Sequence, residues 1–185
     1  MEKVLFCDID GILTWNLNYS VGQAHLLGYG KLSLNNNSHS HLIKDGKPVV
    51  SITKLIEEDY YKNVKPVISA SHILKRLAKH GWLIHLLTKR PASFKTQTTE
   101  WLLKYNFPYP VIYLKDEFER AKFILKHKPI FMVEDEVLNL NKMIKLKVYE
   151  NTKILKYLKP YNSYYTNDHI MTVGNWREIE EVITK

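Results

Sequence analysis

Val4 to Ile9 is an apolar run interrupted only by Asp8, and it stops at Asp10-Gly11. A buried strand that ends in a tight turn has this form. On an extended segment two side chains two positions apart leave the same face, with alpha carbons about 7 Å apart. The carboxylates of Asp8 and Asp10 can therefore meet one ligand. Two such groups at a dry strand end repel each other and are costly to bury, so a divalent cation or a shared proton is the natural remedy. Magnesium suits an all-oxygen site and phosphate chemistry. By itself the pair is also compatible with an ordinary strand-to-turn junction.

The rest of the chain places that strand in a larger pattern. Ser69 can cap a helix whose apolar positions Ile73, Leu74, Leu77 and Ala78 share one face, and Gly81 ends it. Trp82 to Leu87 reads as a second buried strand, ending at Thr88. A helix follows Pro91, with Phe94, Thr98, Trp101, Leu102 and Tyr105 at helical spacing. Val111 to Leu114 makes a third strand, and Asp116 can cap a helix with Phe118, Ala121 and Leu125 inward. Ile130 to Val133 makes a fourth strand, with Glu134-Asp135 at its end. Strands alternating with helices predict an α/β, Rossmann-like parallel sheet with helices on both faces and a ligand site beyond the carboxyl ends of the strands.

Between residues 14 and 63 the pattern loosens into glycines, Asn35-Asn36-Asn37 and Asp45-Gly46, with alternating stretches at His41 to Ile43 and Pro48 to Ile52. This predicts a small cap inserted after the first strand and containing a hairpin, with residues 1–13 and 64–185 forming the core. His39 and His41 have no Cys or third His at a ligand spacing and read as a solvated loop.

Asp8-Ile9-Asp10-Gly11-Ile12-Leu13 after an apolar strand resembles the first motif of the haloacid-dehalogenase superfamily. Thr88, closing Leu86-Leu87-Thr88-Lys89-Arg90-Pro91, looks like the second motif, and Glu134-Asp135-Glu136-Val137-Leu138-Asn139 resembles the fourth. Lys115, Arg120 and Lys122 all lie where the third motif's cation is expected, and counting back from Asp135 favours Arg120. Lys159-Pro160-Tyr161-Asn162 and Asn175-Trp176-Arg177-Glu178-Ile179 look like closing elements of the 5′-nucleotidase, or 5′(3′)-deoxyribonucleotidase, branch. The resemblance spans almost the whole chain outside the cap.

The resemblance implies a magnesium-dependent phosphatase, a hydrolase of phosphomonoesters acting through an aspartyl-phosphate on Asp8. Asp10 is then the general acid and base. Asp8, the backbone carbonyl of Asp10, Asp135 and Glu134 hold the metal, and Thr88 and Arg120 bind the transferring oxygens. Lys89, Arg90 and Lys115 are further candidates for substrate binding, and Trp15, Tyr19, His25 and Tyr29 for contact with a base or sugar. The second motif also suits a nucleotide as the small substrate.

The formal net charge of +8 favours anionic partners, and the tracts Lys142 to Lys147 and Lys153 to Lys159 leave the end of a nucleic acid open as a second substrate class. The same tracts read equally as edge strands or helix faces with solvated charges. A binding or regulatory module that kept the fold and lost turnover is the non-enzymatic alternative. A single cysteine, Cys7, excludes an internal disulfide and fits a reducing compartment, and no apolar run approaches the roughly 20 residues of a membrane span. A cytoplasmic location is the expectation. The oligomeric state is not legible.

Overall fold

The computed structural model describes residues 2–15, 33–34, 41–44, 47–51 and 60–185. After β1 (Lys3–Asp8) come β2 (Ser33–Leu34), β3 (His41–Lys44) and β4 (Lys47–Ser51), which pair antiparallel in a small separate sheet. The hairpin expected from the alternating stretches is thus present as β3 and β4. Tyr19, His25, Tyr29 and His39 lie outside the described residues.

From α1 (Tyr60–Asn63) the chain runs through α2 (Ile68–Lys79), β5 (Trp82–Thr88), α3 (Lys95–Lys104), β6 (Val111–Tyr113) and α4 (Glu117–His127). It continues through β7 (Phe131–Glu134), α5 (Val137–Lys145), β8 (Lys153–Tyr157), β9 (Ile170–Val173) and α6 (Trp176–Thr184). Six strands form one sheet in the order β6-β5-β1-β7-β8-β9, with every neighbouring pair parallel. The expected α/β, Rossmann-like architecture is present, with β1 in the middle of the sheet.

The period of two along the strands divides the core. Leu5 and Cys7 of β1, Ile84 and Leu86 of β5 and Val133 of β7 pack with Leu74 and Leu77 of α2, Trp101 of α3 and Trp176 and Ile179 of α6. Phe6 and Met132 face the other way, against Ala121 and Ile124 of α4 and Leu140 and Met143 of α5. Both faces are therefore covered, as a parallel sheet requires. The two buried tryptophans also satisfy their N–H groups, Trp101 on the carbonyl of Val64 at 2.7 Å and Trp176 on that of Ile12 at 3.2 Å. The second bond ties the C-terminal helix to the turn that follows β1.

Residues 13–15 and 65–67 are bonded to each other. Thr14 pairs with Pro66, the N–H of Trp15 donates to Lys65 and that of Val67 to Leu13, each of these two at 2.8 Å. Among the described residues no helix is long and apolar enough to cross a membrane.

Three details depart from the sequence expectations. Helix α2 begins at Ile68, with Val67 at its N-cap and no side-chain cap, so Ser69 lies within the first turn. Asp116 does cap α4, accepting from the N–H groups of Phe118 and Glu119 at 2.9 and 2.8 Å. The buried face of α4 is nevertheless Arg120, Ala121 and Ile124, and Phe118 is 43% exposed. A buried guanidinium takes the inward place that an apolar ring was expected to fill. The tract Lys153 to Lys159 is neither an edge strand nor a solvated face, since β8 is an inner strand. Lys156 is only 2% exposed, with its ammonium on the carbonyls of Asn162 and Tyr165 at 3.2 and 2.5 Å.

Candidate functional site

The register of the sheet builds the site. Cys7 lies opposite Val133, so the next residues along, Asp8 and Glu134, are neighbours at the tips of β1 and β7. Asp8 shares the parity of Phe6 and turns toward α4. There Arg120, 1% exposed, donates one terminal nitrogen to Asp8 at 2.7 Å and the other to Glu134. Asp135, also buried, completes a group of three carboxylates whose nearest oxygens lie within 4.8 Å of one another.

Gly11 allows that close approach. It has φ +81°, and a Cβ built there would fall 1.9 Å from an Asp135 carboxylate oxygen. A side chain at this position would be strained and would displace Asp135.

Asp10 takes a different direction from the one expected of an extended segment. The strand ends at Asp8 and the chain turns, with the N–H of Leu13 donating to Ile9 at 2.9 Å. The Asp10 carboxylate receives two bonds from Arg90, at 2.8 and 2.7 Å, and lies outside the three-acid group. Arg90 is buried, donates also to Thr98 at 3.2 Å, and has its guanidinium 4.2 Å from the centre of the Tyr61 ring.

The other candidate residues fall as follows. Thr88 is fully buried at the end of β5, and its hydroxyl oxygen accepts from the N–H of Arg90 at 3.1 Å. Lys89 pairs with Glu136 at 2.6 Å. Lys115 and Lys122 are exposed, Lys115 beyond the edge strand β6 and Lys122 with its ammonium 4.2 Å from the centre of the Phe118 ring. Of the three cations considered for one role, only Arg120 reaches the acids.

Around the acids a ring of donors fixes orientation. Asn139 donates to Glu134 and to Glu136, both at 3.0 Å, and the N–H groups of Asp135 and Glu136 donate to Glu134 at 3.0 Å. Tyr161 donates its hydroxyl to Asp135, while Asn162 donates to the carbonyls of Asp135 and Tyr157 at 2.8 and 2.9 Å. Sequence analysis gave Tyr161 and Asn162 no role of their own, only a place in a string that resembles closing elements of the 5′-nucleotidase branch. The only signal available was the position of Lys159-Pro160-Tyr161-Asn162 just after a strand.

Burial pushes the Asp8 carboxyl up to about 8; Arg120 opposes that shift, and Glu134 and Asp10 add to it. Asp135 is raised well above the usual carboxylate range by burial and by Glu134 and Asp8, against the Tyr161 bond and Lys159. Three carboxylates beside one guanidinium are thus costly to ionise together, and a cation would stabilise their ionised forms. An all-oxygen donor set of this kind fits a hard divalent ion such as magnesium.

The sequence matches no protein-family profile and no curated protein. Solved structures are similar at low identity. A haloacid-dehalogenase-superfamily hydrolase from Ehrlichia chaffeensis is 12% identical with a TM-score of 0.54, over 100% of this chain and 98% of that one. A haloacid-dehalogenase-like hydrolase from Xanthomonas campestris is 12% identical with a TM-score of 0.58, over 98% and 96%. The fold is that of the haloacid-dehalogenase hydrolases. A phosphoserine phosphatase in its apo form shares it as well, at 12% identity and a TM-score of 0.56, over 98% of both chains. In this haloacid-dehalogenase fold the acids of the present chain stand at the carboxyl ends of adjoining central strands, where open α/β sheets bind ligands.

Proposed function

We propose that the protein is a magnesium-dependent phosphomonoester hydrolase with Asp8 as its nucleophile and a nucleotide as its substrate. The observation that carries this reading is the Asp8–Arg120–Glu134 contact with Asp135 beside it. A carboxylate at a strand tip is held by a guanidinium in a group of acids suited to a cation. Asp8, Asp135 and Glu134, with the backbone carbonyl of Asp10, would hold magnesium. When bound, the ion would neutralise the crowded carboxylates and the phosphate charge.

In the first step an oxygen of Asp8 forms a bond to phosphorus as the ester oxygen leaves, and Asp10 gives that oxygen its proton. In the second, water attacks phosphorus and gives a proton to Asp10, and the bond to Asp8 breaks to release inorganic phosphate. Arg90 holds the Asp10 carboxylate in place through two hydrogen bonds. Residues 14–63 act as the cap that selects the ester group, and the adjoining entry and exit at Thr14 and Pro66 support their being one inserted unit.

The net charge of +8 and the exposed ring of Trp15 support a nucleotide over a neutral or small aliphatic ester. The tract from Lys153 to Lys159 does not form one continuous face, which weakens the case for a nucleic acid end. A chromogenic phosphomonoester assayed with and without magnesium tests the activity, and hydrolysis unaffected by chelation would overturn it. A panel of mononucleotides, sugar phosphates and 5′- or 3′-phosphorylated oligonucleotides tests the substrate. Mononucleotides should be turned over fastest, and a preference for sugar phosphates would remove the nucleotide assignment.

A further inference from the structure

Three of the cations around the acids already have partners. Arg120 is bound to Asp8 and Glu134, Arg90 to Asp10 and Thr98, and Lys89 to Glu136. Lys159 is different. It follows β8, on the loop that carries Tyr161 and Asn162 to Asp135. Its ammonium lies 4.6 Å from the centre of the Tyr157 ring and 5.5 Å from that of Trp15. Among the described residues that ammonium has no ion pair and no hydrogen bond.

Rings attract an ammonium but do not replace the hydrogen bonds it gives up on leaving water. Burial lowers the pKa of Lys159, and the nearby Asp135 carboxylate opposes that shift through space without an ion pair. The ammonium keeps its bonding capacity close to Asp135, next to a tryptophan that is 53% exposed. A phosphate oxygen is a suitable partner for such a point charge.

We infer that Lys159 contacts the substrate, its ammonium taking a phosphate oxygen of the phosphomonoester while the Trp15 ring beside it forms a wall for a flat ester group. This rests on the phosphatase reading above. It goes further by assigning the charge that receives the incoming anion, a role Arg120 cannot take while both its terminal nitrogens hold carboxylates.

The test compares the wild-type protein with Lys159→Gln and Lys159→Arg at saturating magnesium. KM for a phosphomonoester and the dissociation constant of inorganic phosphate, by calorimetry, are both measured. Lys159→Gln should raise both by about tenfold or more, with a smaller change in kcat, and Lys159→Arg should recover most of the loss. Unchanged phosphate affinity in Lys159→Gln would overturn the inference. So would a raised magnesium requirement with KM unaltered at saturation, because Lys159 would then only balance the charge of Asp135. If no variant hydrolyses any phosphomonoester, the phosphatase reading fails. The phosphate titration then still decides whether Lys159 binds the anion, and no binding by wild type counts against it. Melting temperatures equal to wild type exclude misfolding, and Lys159→Met serves if the glutamine variant does not fold.

Discussion

The two aspartates of the β1 tip stand two residues apart and are treated in opposite ways by the fold. Asp10 meets one guanidinium in a two-bond pair, part-exposed and balanced in charge. Asp8 meets a guanidinium that it shares with Glu134, fully buried, with Asp135 alongside. The first arrangement is complete as it stands, whereas the second has more acid than base. Two like residues in one short motif thus meet different surroundings because of what neighbouring elements bring to each, and the proposed reaction gives them different roles.

The largest expected effect is on turnover. Asp8→Asn should lower kcat by roughly 10⁴-fold or more, since removing a nucleophile that acts with its neighbours removes the whole route. A residual rate near wild type would mean the acidic side is only structural. Next is stability. Arg120→Met should cost about 3–5 kcal/mol in urea denaturation, because it leaves buried carboxylates without their partner. Arg90→Met should cost less, about 1–3 kcal/mol, since Asp10 can turn to water. Equal losses would erase the distinction between the two sides.

Gly11→Ala should cost about 1–2 kcal/mol from the positive φ alone. It should also weaken magnesium binding by displacing Asp135, measurable by calorimetry, and unchanged affinity would show that the close approach does not matter.

A further effect is a trend with pH. A carboxyl raised from 3.8 to about 8 by folding binds more protons in the native than in the unfolded state across that interval. The stability contributed by Asp8 in the metal-free protein is therefore full below pH 3.8 and is lost as the pH rises toward 8. The rise in Tm on adding magnesium should grow over the same window. A magnesium increment that shrinks toward pH 8 would contradict the charge account.

Much of this was legible in the sequence, because the decisive signals are local. The apolar run of β1, the Thr88 end of β5 and the Asp116 cap are patterns of a few residues, and their order gave the parallel sheet. Counting back from Asp135 found Arg120 because the helix between β6 and β7 brings that position back over the strand tips. What was not legible depends on partners distant in the chain. β9 went unrecognised because an edge strand with Met171 and Thr172 exposed carries little apolar signal. Lys156 read as a surface charge, since no local pattern reveals that two carbonyls of the following loop satisfy its ammonium. The divergence of Asp10 from Asp8 was hidden because period-two reasoning holds only while the chain stays extended.

Acid-quenched incubation with a ³²P-labelled phosphomonoester and magnesium, followed by peptide mapping, tests the central claim most directly. The account predicts a hydroxylamine-labile label on the peptide bearing Asp8, absent in Asp8→Asn. A label on another residue, or an Asp8→Asn protein that hydrolyses the ester at the wild-type rate, would contradict it.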